Sequence, residues 1–147
     1  MSPRQKRPST DFAAEASRWL AFARGDLESA EALLDTLTPN RNVGYLAQQA
    51  TEKALKSVIL LANSPFEMTH DLTAIAAQLP RDFVPPIALV DLAWMADLET
   101  SARYPDDGDS ITRDDAERAV TLARAVLDAV ADRFVARGVD PRRIDPE

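Results

Sequence analysis

The chain has 147 residues, a single-domain length, with no cysteine, one histidine and a formal net charge of −7. The missing cysteines exclude disulfides, thiolate metal sites and a cysteine nucleophile, and the single histidine excludes multi-histidine zinc sites. The acidic balance argues against nonspecific nucleic-acid binding, and no apolar run approaches the ~18 residues that span a bilayer, so a cytoplasmic protein without membrane contact is expected.

The N-terminal third predicts an arm followed by one long helix. Residues 1–9 contain two prolines and three basic side chains without periodicity, and they are expected to be loose. From Phe12 onward, apolar residues recur at steps of three and four, which is typical of a helix with one apolar seam. Pro39 is expected to end this helix. The seam residues are Leu20, Ala23, Leu27, Ala30, Leu34 and Leu37.

The second predicted helix, residues 43–62, combines an apolar half with a polar stripe. Its second half is apolar on nearly every side, which is typical of a central helix with neighbours all round. At ~100° per residue, five polar side chains of its first half fall within an arc of roughly 140°. This stripe is either an internal salt-bridge network or a ligand or subunit interface. Its members are Gln48, Gln49, Glu52, Lys53 and Lys56.

Two further helices are predicted between the prolines of the middle region. Thr69 is a candidate N-cap for a short helix over residues 70–79. A fourth helix is expected over residues 87–102, followed by a turn over residues 104–110. The fourth helix offers two apolar faces, one with Leu89, Leu92, Ala93 and Ala96 and the other with Val90, Trp94 and Leu98.

The last predicted helix covers residues 112–137. Thr112 and Asp115 have the spacing of a capping box, and Gly138 provides a C-terminal stop. Residues 139–147 are expected to be loose. The patterns together predict an all-α fold, an up-down antiparallel bundle of four to five helices in one domain over residues 10–138.

Three features suggest chemistry. The acidic turn at residues 106–109 lacks the ligand spacing of an EF-hand, so we interpret it as a solvated turn and expect no metal site. His70 is either a structural group or a ligand-facing one. Arg103, if its guanidinium reaches Lys53 and Lys56, would complete a site suited to phosphate. No residue is assigned a catalytic role, and no cofactor is expected.

Three segments, taken in order, resemble the HEPN family, a helical domain named for higher eukaryotes, prokaryotes and suspected nucleotide binding. They are Ala47–Lys56 (AQQATEKALK) on the second helix, Thr69–Leu72 (THDL) before the third, and Arg103-Tyr104-Pro105 after the fourth. The resemblance implies a helical bundle, commonly a homodimer, often partnered by a minimal nucleotidyltransferase in a toxin-antitoxin-like context.

The chain departs from the nuclease branch of that family. Some HEPN proteins are metal-independent ribonucleases that use an Arg followed four to six residues later by His. Here Phe66, Pro65 and Ser64 precede His70 at those distances, so the nuclease motif is missing. The missing motif therefore argues against the ribonuclease activity of that branch.

Our leading hypothesis is a non-nucleolytic HEPN protein that binds a nucleotide or similar phosphate-bearing ligand, accessory to a nucleotidyltransferase. The alternative is a structural dimerisation module without a small ligand, and a third hypothesis is a ribonuclease with an unorthodox site. For the leading hypothesis, the expected nucleotide-binding or anion-binding residues are Lys53, Lys56, His70, Arg103 and Tyr104.

Overall fold

The computed structural model of the chain describes residues 10–64, 69–103 and 111–142, with the side chains of residues 10, 11 and 99–103 left out. Within these ranges it contains five helices and no strand, which confirms the all-α prediction. They are α1 (Thr10–Leu34), α2 (Asn40–Leu61), α3 (Leu72–Ala76), α4 (Leu89–Arg103) and α5 (Arg113–Ala136).

Helix α2 lies at the centre of the bundle. It packs against α1 and α5, which also contact each other, and against α3 and α4. Its apolar second half is buried on every side, from Leu55 through Leu61, because neighbouring helices cover it all round. The central position predicted for this helix is therefore what the structure shows.

The connection between α1 and α2 differs from the predicted one. Helix α1 ends at Leu34, so Leu37 does not extend the apolar seam and is fully exposed in the connection. Helix α2 begins at Asn40, three residues earlier than predicted, with Pro39 as its N-cap. Pro39 therefore does not end α1, which stops five residues earlier. Its φ of −57° and its missing N–H suit the position directly before the first turn of α2.

The predicted third helix is also shorter than expected. It spans five residues, and its N-cap is Asp71 rather than Thr69, whose Oγ1 instead accepts from the Asp71 backbone N–H at 3.1 Å. The Asp71 carboxylate accepts from the Thr73 backbone N–H at 3.0 Å. Asp is a strong N-cap, and the structure uses the capping residue that directly precedes the buried Leu72.

Helix α4 buries one line of residues, which its apolar pattern did not distinguish from the other apolar residues of the helix. The buried residues are Leu92, Met95 and Leu98, whereas Leu89 and Val90 are exposed. Leu89 and Val90, one from each of the two apolar faces that the sequence offers, therefore lie outside the core. A helix that is apolar nearly all round gives periodicity no contrast from which to choose its buried face.

Helix α5 begins as predicted. The Thr112 hydroxyl accepts from the Asp115 backbone N–H, and the Asp115 carboxylate accepts from the Thr112 backbone N–H, so the capping box is complete. After α5, Gly138 adopts a φ of +75°, a left-handed conformation that suits glycine.

The segment after Gly138 turns back across α1. The Arg24 guanidinium of α1 donates to the Pro141 carbonyl at 3.0 and 3.3 Å, and Val139 packs against the core. This contact ties the first helix to residues 139–142, part of the stretch that the sequence predicted to be loose. Among the described helices, none is apolar over enough of its length to cross a membrane.

Candidate functional site

The polar stripe of α2 is organised around the carboxylate of Glu52. Its side chain is 3% exposed, and it is contacted through both oxygens. Oε1 accepts from the Gln48 side-chain amide at 3.3 Å, and Oε2 accepts from Lys56 Nζ at 2.9 Å. Oε2 also lies 2.9 Å from His70 Nδ1. We call these four residues the Glu52 network.

The helical spacing of α2 explains how this network forms. Gln48, Glu52 and Lys56 are four residues apart, so their side chains lie one above the next on a single face. Lys56 is nearly as buried as Glu52, and its ammonium lies 5.3 Å from the centre of the Trp19 ring of α1. Such a position lowers the cost of burying the charge, since the carboxylate and the aromatic face both stabilise it.

His70 approaches the network from the connection before α3. An ionised carboxylate only accepts hydrogen bonds, so the hydrogen in this contact belongs to His70 Nδ1. In the neutral ring that tautomer leaves Nε2 as an acceptor. The His70 side chain is 64% exposed, so one residue of the Glu52 network is accessible to solvent although the carboxylate is buried.

Lys53 lies on the side of Lys56 away from Glu52, and it pairs with a carboxylate of α1. Its Nζ donates to Asp26 Oδ2 of α1 at 2.6 Å, and the two side chains are 25% and 23% exposed. Asp26 lies seven residues after Trp19, so the two share a face of α1. Lys53 and Lys56 of α2 therefore contact that face of α1 at two points that are two helical turns apart.

Charge along the stripe is balanced pair by pair. The two lysines contact two carboxylates, Lys53 with Asp26 and Lys56 with Glu52, at hydrogen-bonding distance. An anion site needs cations whose charge is not already met by a neighbouring carboxylate. The arrangement thus resembles a packed ion-pair network more closely than an anion site.

The predicted site residues are only partly brought together. Lys56 and His70 meet at Glu52, and Lys53 lies one helical turn away on Asp26. Arg103 ends α4, but its side chain and the whole of Tyr104 lie outside the described residues, as does the acidic turn. Among the side chains that the structure describes, no cluster of three His, Asp or Glu is placed to hold a metal ion.

Asp26 is the contact residue that sequence reasoning missed. Nothing local to α2 names it, because it is 27 positions away on another helix. Two signals point to it: the seven-residue step from Trp19, which places both on the side of α1 that faces a neighbour, and the resemblance to the HEPN family, which Trp19-Leu20 and Asp26-Leu27 also fit.

The fold and these segments agree with a known family. The family model of the HEPN domain matches residues 16–133, which is most of the chain. The chain belongs to the HEPN family. This confirms the resemblance read from the three segments on α2, before α3 and at the end of α4.

A solved structure supports the same assignment. The HEPN chain described here is 31% identical to TT1696 from Thermus thermophilus, whose crystal structure superposes with a TM-score of 0.71. The match covers 82% of this HEPN chain and 98% of TT1696. A comparison with curated proteins gave no match.

Proposed function

We propose that this HEPN protein is a non-nucleolytic accessory subunit that works through its outer faces, by binding protein partners. The polar stripe of α2 then serves as an internal ion-pair network that stiffens the central helix. The observation that carries the proposal is the one-to-one pairing of Lys53 with Asp26 and of Lys56 with Glu52. For this family the expected partners are a minimal nucleotidyltransferase and a second copy of the chain.

The burial of Lys56 supports this assignment. A phosphate at Lys56 would have to displace Glu52, which is 3% exposed and also contacts Gln48 and His70. The displaced carboxylate would lose its cation and several hydrogen bonds inside the protein, where an unpaired charge is costly. The pair is thus better suited to holding α2 in place than to exchanging ligands.

Exposed apolar side chains favour a protein partner over a small ligand. Val84, Leu89 and Val90, in and just after the connection to α4, are 81%, 65% and 73% exposed. Large apolar side chains that cluster at a surface are typical of protein interaction sites. The start of α4 and the connection before it are therefore our candidate for the surface that meets the nucleotidyltransferase partner.

Thermal melting with and without millimolar ATP tests the proposal. We expect ATP to leave the wild-type melting temperature unchanged, since phosphate could reach the lysines of the stripe only by breaking a pair. Lys53→Ala should melt slightly lower, by an amount equivalent to about 1 kcal/mol or less, because the pair is partly exposed. Arg81→Ala, which removes an exposed cation between α3 and α4, is the matched control.

A second candidate function is binding of a nucleotide or similar phosphate-bearing ligand at Lys53, Lys56, His70, Arg103 and Tyr104. The specific observation in its favour is the accessibility of His70, 64% exposed, and of the Lys53–Asp26 pair at the rim. A ligand at 100 times its dissociation constant adds about 2.7 kcal/mol of stability, which a melt detects easily. An ATP-dependent rise that Lys53→Ala abolishes and Arg81→Ala retains would overturn the internal-network proposal in favour of this one.

A further inference from the structure

Residues 84–90 form a run in which no side chain is charged or able to form a hydrogen bond. Val84, Leu89 and Val90 are 81%, 65% and 73% exposed, whereas Ile87 packs against the core. Consecutive exposed apolar residues are uncommon on the surface of a soluble domain, and they are typical of an interaction site. We call residues 84–90 the apolar ridge.

Both ends of the apolar ridge are fixed by the fold. Phe83, directly before it, is buried, and the Arg133 guanidinium lies 5.8 Å from the centre of the Phe83 ring. Leu92, two residues after the ridge, is 2% exposed in the core. The side chains between these two anchors are therefore presented from a fixed backbone, so a partner that binds them loses little free energy in ordering the chain.

The charged residues that flank the apolar ridge are already paired inside the chain. Asp82, before the ridge, accepts hydrogen bonds from Arg133 and Arg137, and Asp91, after it, pairs with Arg118. An apolar centre with a polar rim is the usual anatomy of a protein interface. Because the flanking charges have counter-ions of their own, recognition depends on the apolar ridge itself.

The backbone of the apolar ridge presents hydrogen-bond acceptors without matching donors. Pro85 and Pro86 have no N–H, so these two positions can only accept. Among the described residues, no backbone N–H donates to the carbonyl of Val84, Pro85, Pro86 or Ile87. Four consecutive carbonyls therefore lie outside the backbone hydrogen bonding of the fold.

These carbonyls determine which kind of surface fits the apolar ridge. The hydrocarbon region of a bilayer has no donors, so inserting the ridge there would leave the carbonyls unsatisfied, which is costly. A second copy of the ridge would place acceptors against acceptors. Nucleic acid is bound mainly through cations at its phosphates, and the ridge has no cation. A protein surface that combines apolar contact with N–H or O–H donors meets both requirements.

Tryptophan and tyrosine side chains have both of these properties. Each has a large apolar ring with one N–H or O–H donor at its edge, and both residues are enriched in protein interfaces. Grooves lined by aromatic side chains also bind extended segments that contain proline. Val84 and Pro85 each precede a proline, which restricts both to extended backbone conformations.

We propose that the apolar ridge docks into a groove of a partner protein that is lined by tryptophan or tyrosine, whose N–H or O–H groups donate to the carbonyls of residues 84–87. This rests on the proposed function for the claim that a protein binds at the start of α4 and the connection before it. It adds the chemistry by which that partner recognises the surface.

Indole tests the proposal directly, since it combines an aromatic ring with one N–H donor, and 1-methylindole is the matched control without the donor. Methyl NMR spectra of the full chain would be recorded over a millimolar concentration series of each compound. We expect indole to shift the methyl signals of Val84, Leu89 and Val90 saturably, with a dissociation constant roughly fivefold lower than that of 1-methylindole, the effect of one hydrogen bond. The exposed methyl groups of Leu37 and Val135 should not shift.

Two results of this titration would contradict the proposal. Equal affinities for indole and 1-methylindole would overturn the role of the carbonyls. Shifts of the same size at Leu37 and Val135 would overturn the apolar ridge as a specific site, because indole would then contact any exposed apolar side chain.

Substitutions in the full chain test whether a partner uses the apolar ridge. Titration calorimetry with a minimal nucleotidyltransferase from the same organism would compare wild type, Val84→Glu and Leu89→Glu. We expect each substitution to weaken binding by roughly 30-fold or more, the effect of losing a central interface contact. Val135→Glu, at a 64% exposed apolar position of α5, is the control that should retain wild-type affinity. All three positions are exposed, so the variants should keep the helical circular dichroism of wild type.

The outcomes distinguish the apolar ridge from the proposed function. Nucleotidyltransferase binding that neither ridge variant weakens would overturn the ridge as its docking site and leave the partner on another surface. A wild-type chain that binds no nucleotidyltransferase would overturn the partner named in the proposed function. Preferential binding of indole at the ridge would then still support recognition by an aromatic groove of a different protein.

Discussion

At the scale of single residues, Glu52 is the group on which the polar stripe depends. Its carboxylate contacts Gln48, Lys56 and His70 from a position that is 3% exposed. A buried carboxylate with a lysine and two further hydrogen-bond donors around it stabilises α2 against both α1 and the connection before α3. Removing its charge would leave the buried Lys56 ammonium beside a neutral group.

Glu52→Gln is therefore expected to destabilise the protein strongly. Breaking a buried ion pair from one side costs about 3–5 kcal/mol, because the remaining charge keeps its burial and loses its counter-ion. Urea unfolding followed by circular dichroism would measure the free energy of unfolding. Glu117→Gln, which loses an exposed pair with Arg113, is the control and should cost about 1 kcal/mol or less. Equal effects of the two substitutions would show that the Glu52 network contributes nothing specific.

Asp82 leads to a prediction about acid stability. Arg133 donates to its carboxylate at 2.7 Å and Arg137 at 3.2 Å, which links the connection before α4 to the end of α5. The hydrogen bond from Arg133, chiefly, lowers the pKa of Asp82 below its usual value. A lowered folded-state pKa contributes stability above the unfolded pKa of ~3.9, and this contribution disappears as the pH falls through the folded value.

Asp82→Asn should accordingly lower the melting temperature at neutral pH, and the difference from wild type should vanish as the pH falls below about 4. Differential scanning calorimetry between neutral and acid pH measures this directly. Asp132→Asn, at an exposed position of α5, serves as the control. A difference that persisted unchanged into strong acid would contradict the assigned cause.

Residue-level contacts were predictable only within one helix. The Glu52–Lys56 pair follows from its spacing of four residues along α2. The contacts of Lys53 with Asp26 and of His70 with Glu52 span 27 and 18 positions, and they depend on how separate elements pack. Spacing within a helix does not indicate how separate helices pack. From the sequence alone, the polar stripe of α2 could therefore be an internal ion-pair network or a ligand or subunit interface.

At the scale of elements, helix boundaries were most predictable where a side chain caps them. Thr112 and Asp115 bond to each other's backbone N–H groups at 3.1 Å, and α5 begins where this pattern predicts. The start of the third helix was predicted wrongly because two capping residues compete there. Thr69 and Asp71 both have capping side chains, and local pattern did not decide between them.

Thr112→Ala should destabilise the protein by about 1 kcal/mol, the usual cost of losing an N-cap hydroxyl. Thr121→Ala replaces an exposed threonine in the middle of α5, where alanine has the higher helix propensity, and should be neutral or slightly stabilising. Chemical unfolding of both variants, in parallel with wild type, measures the difference. If Thr112→Ala proved as stable as Thr121→Ala, the capping box would not determine the start of α5.

Helix α4 shows why the buried face of an element is harder to predict than its existence. Leu89, Val90 and Leu92 are equally apolar, but only Leu92 lies in the core. The choice is made by the position of α2 and α3 on one side of α4, which is a property of the assembled bundle. Leu89 and Val90 stay exposed as a result, and they belong to the surface that we assign to the nucleotidyltransferase partner.

At the scale of the whole molecule, stability depends on α2 because it contacts all the other described helices. Its burial was predictable, since an α-helix apolar on nearly every side is stable in water only when surrounded. The five-helix order and the all-α class followed from periodicity and proline positions in the same way. The sequence did not predict which helices pack against each other, because the apolar face of each helix could pack against more than one neighbour.

Leu55→Ala tests the central position of α2. Leu55 is fully buried, and truncating a buried leucine costs about 2–5 kcal/mol through lost burial and the cavity left behind. Leu37→Ala, at a fully exposed position between α1 and α2, should change stability by less than about 0.5 kcal/mol. Urea titration of both variants gives the comparison, and similar midpoints would contradict a core centred on α2.

The contact between Arg24 and the Pro141 carbonyl has a consequence for local unfolding. It joins positions that are 117 residues apart, and Pro141 lies after the end of α5, outside the helices. An opening that separates α1 from the bundle therefore has to break it, while the other helices keep their own hydrogen bonds. Residues 139–142 therefore have to leave α1 before α1 can separate from the bundle. A fluorescent probe attached near Arg142 would report when this contact opens.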